Sequence, residues 1–185
     1  MEATTVNMKN GVNVDQLVET IGHIQDQPEL AKFEFRAKNN WIQGGHCVSS
    51  VKGFYGAGQE DSTREETFTL ACSHPQVLLG ADEGATPPEV VLHALSSCLT
   101  GAMVYHAAAN GIDIDGAESN IKGTADLHGF LGLDPEVRKG FNGIHFKLKV
   151  KSDATVEQLE NLAKFSPVFD MITNPTPVTI EIVKE

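Results

Sequence analysis

The stretch from Thr86 to Asn110, TPPEVVLHALSSCLTGAMVYHAAAN, constrains this chain most, because it carries helix signals at both ends and little charge between them. Thr86 fits the N-cap and Pro87 the first helical position, Glu89 completes a Thr-x-x-Glu capping box, and Gly111 supplies a left-handed stop. Its middle is apolar or small on nearly every face, which predicts a helix enclosed by protein. The segment is about long enough to cross a bilayer. His93, Ser96, Ser97, Thr100 and His106 interrupt it, however, and no basic anchors flank it, so a core helix is expected.

Around this helix the hydrophobic periodicity changes several times. From Asn13 to about Gln25, Val14, Leu17, Val18, Ile21 and Ile24 fall at helical spacing, ending before Pro28. Residues 1–32 are therefore expected to form an N-terminal helical extension, and residues 33–185 the main domain. FEFRAKNNWI, HCVSSVKGFY and ETFTLAC read as three strands of an antiparallel meander. Beyond Gly111, strands are expected near Ala117 to Leu127 and Gly143 to Val150. A second helix follows, capped by Ser152 or Asp153 and kinked by Pro167 in its interior. TPVTIEIVK closes the chain as an alternating strand, with Val178, Ile180 and Ile182 on one face. This order fits an α+β fold better than an alternating α/β one.

With 185 residues, 41% of them hydrophobic, the chain can fill a core without metal or disulfide staples. Its 25 acidic and 14 basic side chains give a formal net charge of −11, which repels both nucleic acid and anionic membrane surfaces, so neither is an expected partner. No basic region followed by an apolar run opens the sequence, and a cytoplasmic location is expected. Cys47, Cys72 and Cys98 form no CxxC pattern, and their odd number favours free thiols, while leaving open that two of them meet in space. The histidines show no metal-ligand spacing, and there is no GxSxG elbow, P-loop or dinucleotide fingerprint. Neither metal nor cofactor is expected.

Cys98, mid-helix among Ser96, Ser97 and Gly101, is the leading candidate for chemistry, and its small neighbours imply that something packs closely against that face. By composition alone a buried cysteine is more often an inert small hydrophobe than a nucleophile. His93 is no base for it, since five residues correspond to about 140° around a helix.

PPEVVLHALSSCLTGAM resembles the central-helix motif of the OsmC/Ohr family. WIQGGHCVSS, GFLGLDPEVRKGF, SPVFDMITN and VTIEIV extend the likeness over roughly Phe33 to Val183. The resemblance implies antiparallel sheets around two long central helices in an intertwined homodimer. It also implies reduction of a hydroperoxide with an external thiol reductant, with Cys98 as the peroxidatic residue. That chemistry needs a thiolate that attacks a peroxide oxygen and becomes a sulfenic acid, with a nearby cation or donors to lower the thiol pKa.

In the family an arginine paired with a glutamate supports the thiolate, and a second cysteine resolves the sulfenic acid. Here Pro88 occupies the glutamate position and Glu89 follows it. On an ideal helix Glu89 points opposite Cys98, roughly 13 Å away along the axis. His46 follows the Gly44-Gly45 turn where the family has arginine, with Arg36, Arg64 and Arg138 as alternative cations, and Ser166 takes the second cysteine's place. The candidate catalytic set is thus Cys98, Glu89 and His46. The alternative reading is a non-catalytic small-molecule-binding or stress-associated dimer of the same fold.

Overall fold

In the computed structural model, residues 6–184 are described, and their contacts divide them into two units. A small hairpin comes first, pairing β1 (Met8–Lys9) with β2 (Val12–Asn13). Asn10 and Gly11 turn it with φ of 52° and 79°, the left-handed pair that a tight two-residue hairpin needs.

One unit comprises residues 6–7 and Asn13–Val91. Its α1 (Val14–Asp26) begins where Asn13 caps it, the Asn13 side chain accepting from Gln16 N at 3.1 Å, and ends before Pro28 as the periodicity predicts. The strand runs that follow divide more finely than expected. β3 (Glu34–Phe35) and β4 (Lys38–Gln43) replace the first, β5 (His46–Val51) and β6 (Phe54–Gly56) the second, and β7 (Gln59–Asp61) precedes β8 (Phe68–Cys72). They form two antiparallel sheets, ordered β3-β6-β7 and β4-β5-β8, in place of one meander. The breaks at Arg36-Ala37 and Lys52-Gly53 pass the chain from one sheet to the other. Phe33, Phe35 and Phe54 then pack with ring centroids 5.7–6.2 Å apart, a long-range gain that local alternation cannot reveal.

The other unit comprises Met8–Val12 and residues 92–184. α2 (Pro87–Ala109) is the long helix foreseen. Thr86 N and Oγ1 each donate to Glu89 Oε2 at 2.8 Å, and Glu89 N donates to Thr86 Oγ1 at 3.4 Å, completing the capping box. At the other end Ile112 N bonds Ala107 O and Gly111 N bonds Ala108 O, with Gly111 at φ 72°, the paired bonds of a Schellman stop. The segment beyond is held by Asn10, whose side chain donates to Ile112 O and accepts from Ile114 N, and by the Lys9–Asp113 ion pair at 2.7 Å.

α2 is not enclosed on every face. Leu95, Leu99, Met103, Ala107 and Ala108 are buried along one stripe, whereas Val91 and Tyr105 are exposed. Its apolar composition calls for cover without saying that the cover comes from the same chain. The close packing expected against Gly101 is also absent among the described residues, where a Cβ at that position would meet nothing within 4 Å.

β9 (Gly116–Ala125) and β10 (Phe141–Lys151) pair antiparallel from Phe141↔Ala125 to Lys151↔Gly116, bearing out the two predicted strands. Their connection carries α3 (Leu127–Phe130), capped by Asp126. The predicted kinked helix is instead two helices, α4 (Val156–Ala163) and α5 (Pro167–Thr173). Thr155, rather than Ser152 or Asp153, caps α4 through a capping box with Gln158. Pro167 lies in the first turn of α5, where a missing N–H costs nothing, and Ser166 caps that helix. The closing strand is also corrected: TPVTIEIVK forms no strand, and Val178, Ile180 and Ile182 are 79%, 84% and 87% exposed. Alternation selects an extended shape, but a strand exists only where another supplies its hydrogen bonds.

Candidate functional site around Cys98

Cys98 is half-buried in α2 between the buried Leu95 and Leu99, its thiol free. Two residues earlier, Ser96 Oγ donates back to His93 O at 3.1 Å, so that hydroxyl is locally occupied. The resulting environment is a small-residue helix face carrying one thiol.

Glu89 is engaged by the helix end. The Thr86 N–H, and secondarily the Thr86 hydroxyl, hold its carboxylate below the ordinary value, and the group is exposed. His46 lies on β5 with a mostly buried side chain. Its buried Nδ1 sits 2.9 Å from Glu83 Oε2 but off the line that a hydrogen bond needs, so the contact is attractive as an ion pair when the imidazole is protonated. Arg36 pairs with Glu60 and lies 3.6 Å from Glu34, contacts that raise its pKa, the Glu60 hydrogen bond foremost. Arg64 stands over the rings of Phe54 and Phe68, 5.0 and 5.5 Å from their centroids.

Ser166 is 1% exposed, and its Oγ accepts from Phe169 N at 3.1 Å. The adjoining Phe165 stacks on His106 of α2 at 4.2 Å between centroids, which fastens the start of α5 to that helix two turns beyond Cys98. Among the described residues no group of three or more His, Cys, Asp or Glu is placed to hold a metal ion.

The sequence left open which two cysteines meet, and the structure brings together Cys47 and Cys72. They are direct cross-strand partners in β5 and β8, with Trp41 of β4 opposite Cys47 on the other side. No local signal marks this pairing, because register between strands separated by a long loop depends on the whole sheet.

The long capped helix with its single thiol agrees with what a comparison of sequences gives: the family model described as OsmC-like protein matches residues 80–181, more than half of the chain. The chain belongs to the OsmC-like family. Solved structures share the fold of this OsmC-like protein at low sequence identity. An OsmC-like protein from Mycoplasma pneumoniae is 14% identical with a TM-score of 0.54, covering 77% of this chain and 89% of that one. A protein from Psychrobacter arcticus 273-4 is 15% identical, also with a TM-score of 0.54, over 72% and 85% of the two chains. An OsmC-like protein of unknown function from Vibrio cholerae is 16% identical with a TM-score of 0.51, over 81% and 99%. Comparison with curated proteins gives no match.

Proposed function

We propose that this OsmC-like protein is a homodimeric redox protein that reduces hydroperoxides through Cys98 at the expense of an external thiol. The observation that carries the reading is the half-buried free thiol of Cys98 on the long helix inside the family-matched segment. Cys98 thiolate attacks the hydroperoxide, breaking the O–O bond. It becomes a sulfenic acid, and the other oxygen leaves as an alcohol after protonation. A first external thiol then condenses with the sulfenic acid, releasing water and leaving a mixed disulfide. A second thiol regenerates Cys98 and carries away the small disulfide. His46 and Glu89 are the proposed supporting groups, as cation and carboxylate, with Glu89, which its own helix turns away from Cys98, supplied by the second copy.

The dimer is supported by surfaces left bare among the described residues: the open Gly101 face of α2 and the extended, apolar-faced segment of residues 177–184. Covering both with a second copy buries more of a helix that is apolar or small on nearly every face and supplies hydrogen bonds to the extended segment. Light scattering at micromolar concentration is expected to give a dimer, and a monomer would overturn that part of the proposal.

Purified protein is expected to consume an organic hydroperoxide in the presence of a dithiol. Cys98→Ser should lower the rate by at least about 100-fold, the range lost with an essential nucleophile, while Cys47→Ser and Cys72→Ser retain activity. Equal consumption by the Cys98→Ser protein would remove peroxide chemistry. The second reading, a non-catalytic dimer of the same fold, is favoured by the buried Ser166, which caps α5 and cannot resolve a sulfenic acid. It gains if the wild type itself consumes no hydroperoxide.

A further inference from the structure

We propose that Cys47 and Cys72 are a second redox site, a dithiol that closes reversibly to an intrachain disulfide across β5 and β8. The two residues are register partners, so their side chains project from the same face of the sheet. Directly opposed residues in an antiparallel pair have α-carbons about 4.5 or 5.5 Å apart, depending on the pair type. Both values fall inside the roughly 4.4–6.8 Å window in which a disulfide forms.

Position on the sheet favours closure. Cys72 is the last residue of β8, which ends the β4-β5-β8 order and is bridged at Cys72 to Ala85 on its other side, and Cys47↔Cys72 is the terminal pair of its ladder. Opposed β-carbons about 4.5–5.5 Å apart must approach to about 3.5–4.5 Å. Only a slight pinch at the end of the ladder is needed, one that the bridge of Cys72 to Ala85 on its other side must follow. The remaining strain makes the bond easy to reduce, as befits a pair that cycles rather than a permanent staple. Both thiols are free and partly exposed, so a small oxidant has access.

The oxidant we assign is a low-molecular-weight disulfide. One cysteine thiolate attacks it, expelling one small thiol and forming a mixed disulfide. The second cysteine thiolate then attacks the protein sulfur of that mixed disulfide and expels the other small thiol. Two cysteines are oxidised, one small disulfide is reduced to two thiols, and the cysteine protons end on the thiols released. The step needs neither Cys98 nor a peroxide, so it stands or falls separately from the proposal for α2.

Trp41 supplies an internal reporter. It is the only tryptophan, it lies opposite Cys47 on β4, and a disulfide beside an indole quenches its emission. The test treats the full-length Cys98→Ser protein, which keeps only these two thiols, with glutathione disulfide. The expected product has lost two hydrogens in mass, both titratable thiols and part of its tryptophan emission, and peptide mapping links Cys47 to Cys72. Its Tm should rise by about 5–10 °C, because the bond closes a long loop, and dithiothreitol should reverse every change. Adding Cys47→Ser or Cys72→Ser should leave a stable glutathione adduct on the remaining thiol. A stable adduct in the protein with both cysteines, or two thiols still free, would overturn the proposal, as would a link between two chains. Mapping the oxidised wild type guards against misfolding of the variants, and a link from Cys98 to either residue there would also count against it.

Discussion

The helix that carries Cys98 and the sheet that carries Cys47 and Cys72 hold their sulfurs by opposite means. α2 is specified locally: Thr86, Glu89 and Gly111 fix its ends, and an i, i+4 stripe from Leu95 to Ala107 fixes its buried side. The β4-β5-β8 sheet is specified at long range, because Cys47 finds Cys72 only after β6, β7 and the intervening loops have been placed. A feature set by local signals survives distant changes, whereas one set by register fails when any part of the sheet shifts.

The largest expected effect lies in the stripe of α2. Met103 is fully buried, and Met103→Ala should destabilise the protein by about 2–5 kcal/mol through lost burial and a residual cavity. Urea unfolding monitored by circular dichroism checks this, and a change below about 1 kcal/mol would mean that the stripe is not the core it resembles.

A smaller effect separates the two regions with one chemical change. Gly84 lies against β8, and a Cβ there would come within 2.5 Å of the Ala71 carbonyl oxygen, a backbone atom that cannot swing aside. Gly84→Ala should therefore cost about 1–3 kcal/mol as overpacking. By contrast, Gly101→Ala should keep the helical signal intact and instead weaken association of two chains, since none of the described residues opposes the added carbon. Thermal unfolding and light scattering of both variants make the comparison, and equal loss of stability would erase the distinction.

The smallest effect concerns the cap of α2. The Thr86 N–H and hydroxyl lower the Glu89 pKa on folding, so the stabilisation is present above the unfolded-state value and is lost as pH falls through the folded one. Glu89→Gln should cost no more than about 0.3–1 kcal/mol at neutral pH, reduced further by solvent screening of this exposed group, and the difference should vanish in acid. A pH series of Tm values for the two proteins reads it. A difference that persists undiminished below the carboxylate range would show that the contribution is not the charge.

Much of the candidate site was legible because its signals are short-range. Cys98 stands out in PPEVVLHALSSCLTGAM, and the capping carboxylate of Glu89 can be foreseen from Thr86 three residues earlier. Two placements exceeded what spacing can say. Pro167 fits a helix interior only as a kink, yet Ser166 beside it starts a new helix, and sequence offers both options until packing selects one. The Val178, Ile180, Ile182 alternation describes an extended segment truly, but it cannot name the strand that would pair with it.

The sequence by itself determined the α+β class, the ends of α1 and α2 and the β9 and β10 segments, since caps, turns and periodicity act within a few residues. Tertiary structure alone decided the division of the early strands into two sheets, the one-sided burial of α2 and the meeting of Cys47 with Cys72. These outcomes depend on which apolar surfaces and backbone donors find each other across long stretches of chain. That choice is made by the summed burial and hydrogen bonding of the whole fold, to which no single segment carries the answer.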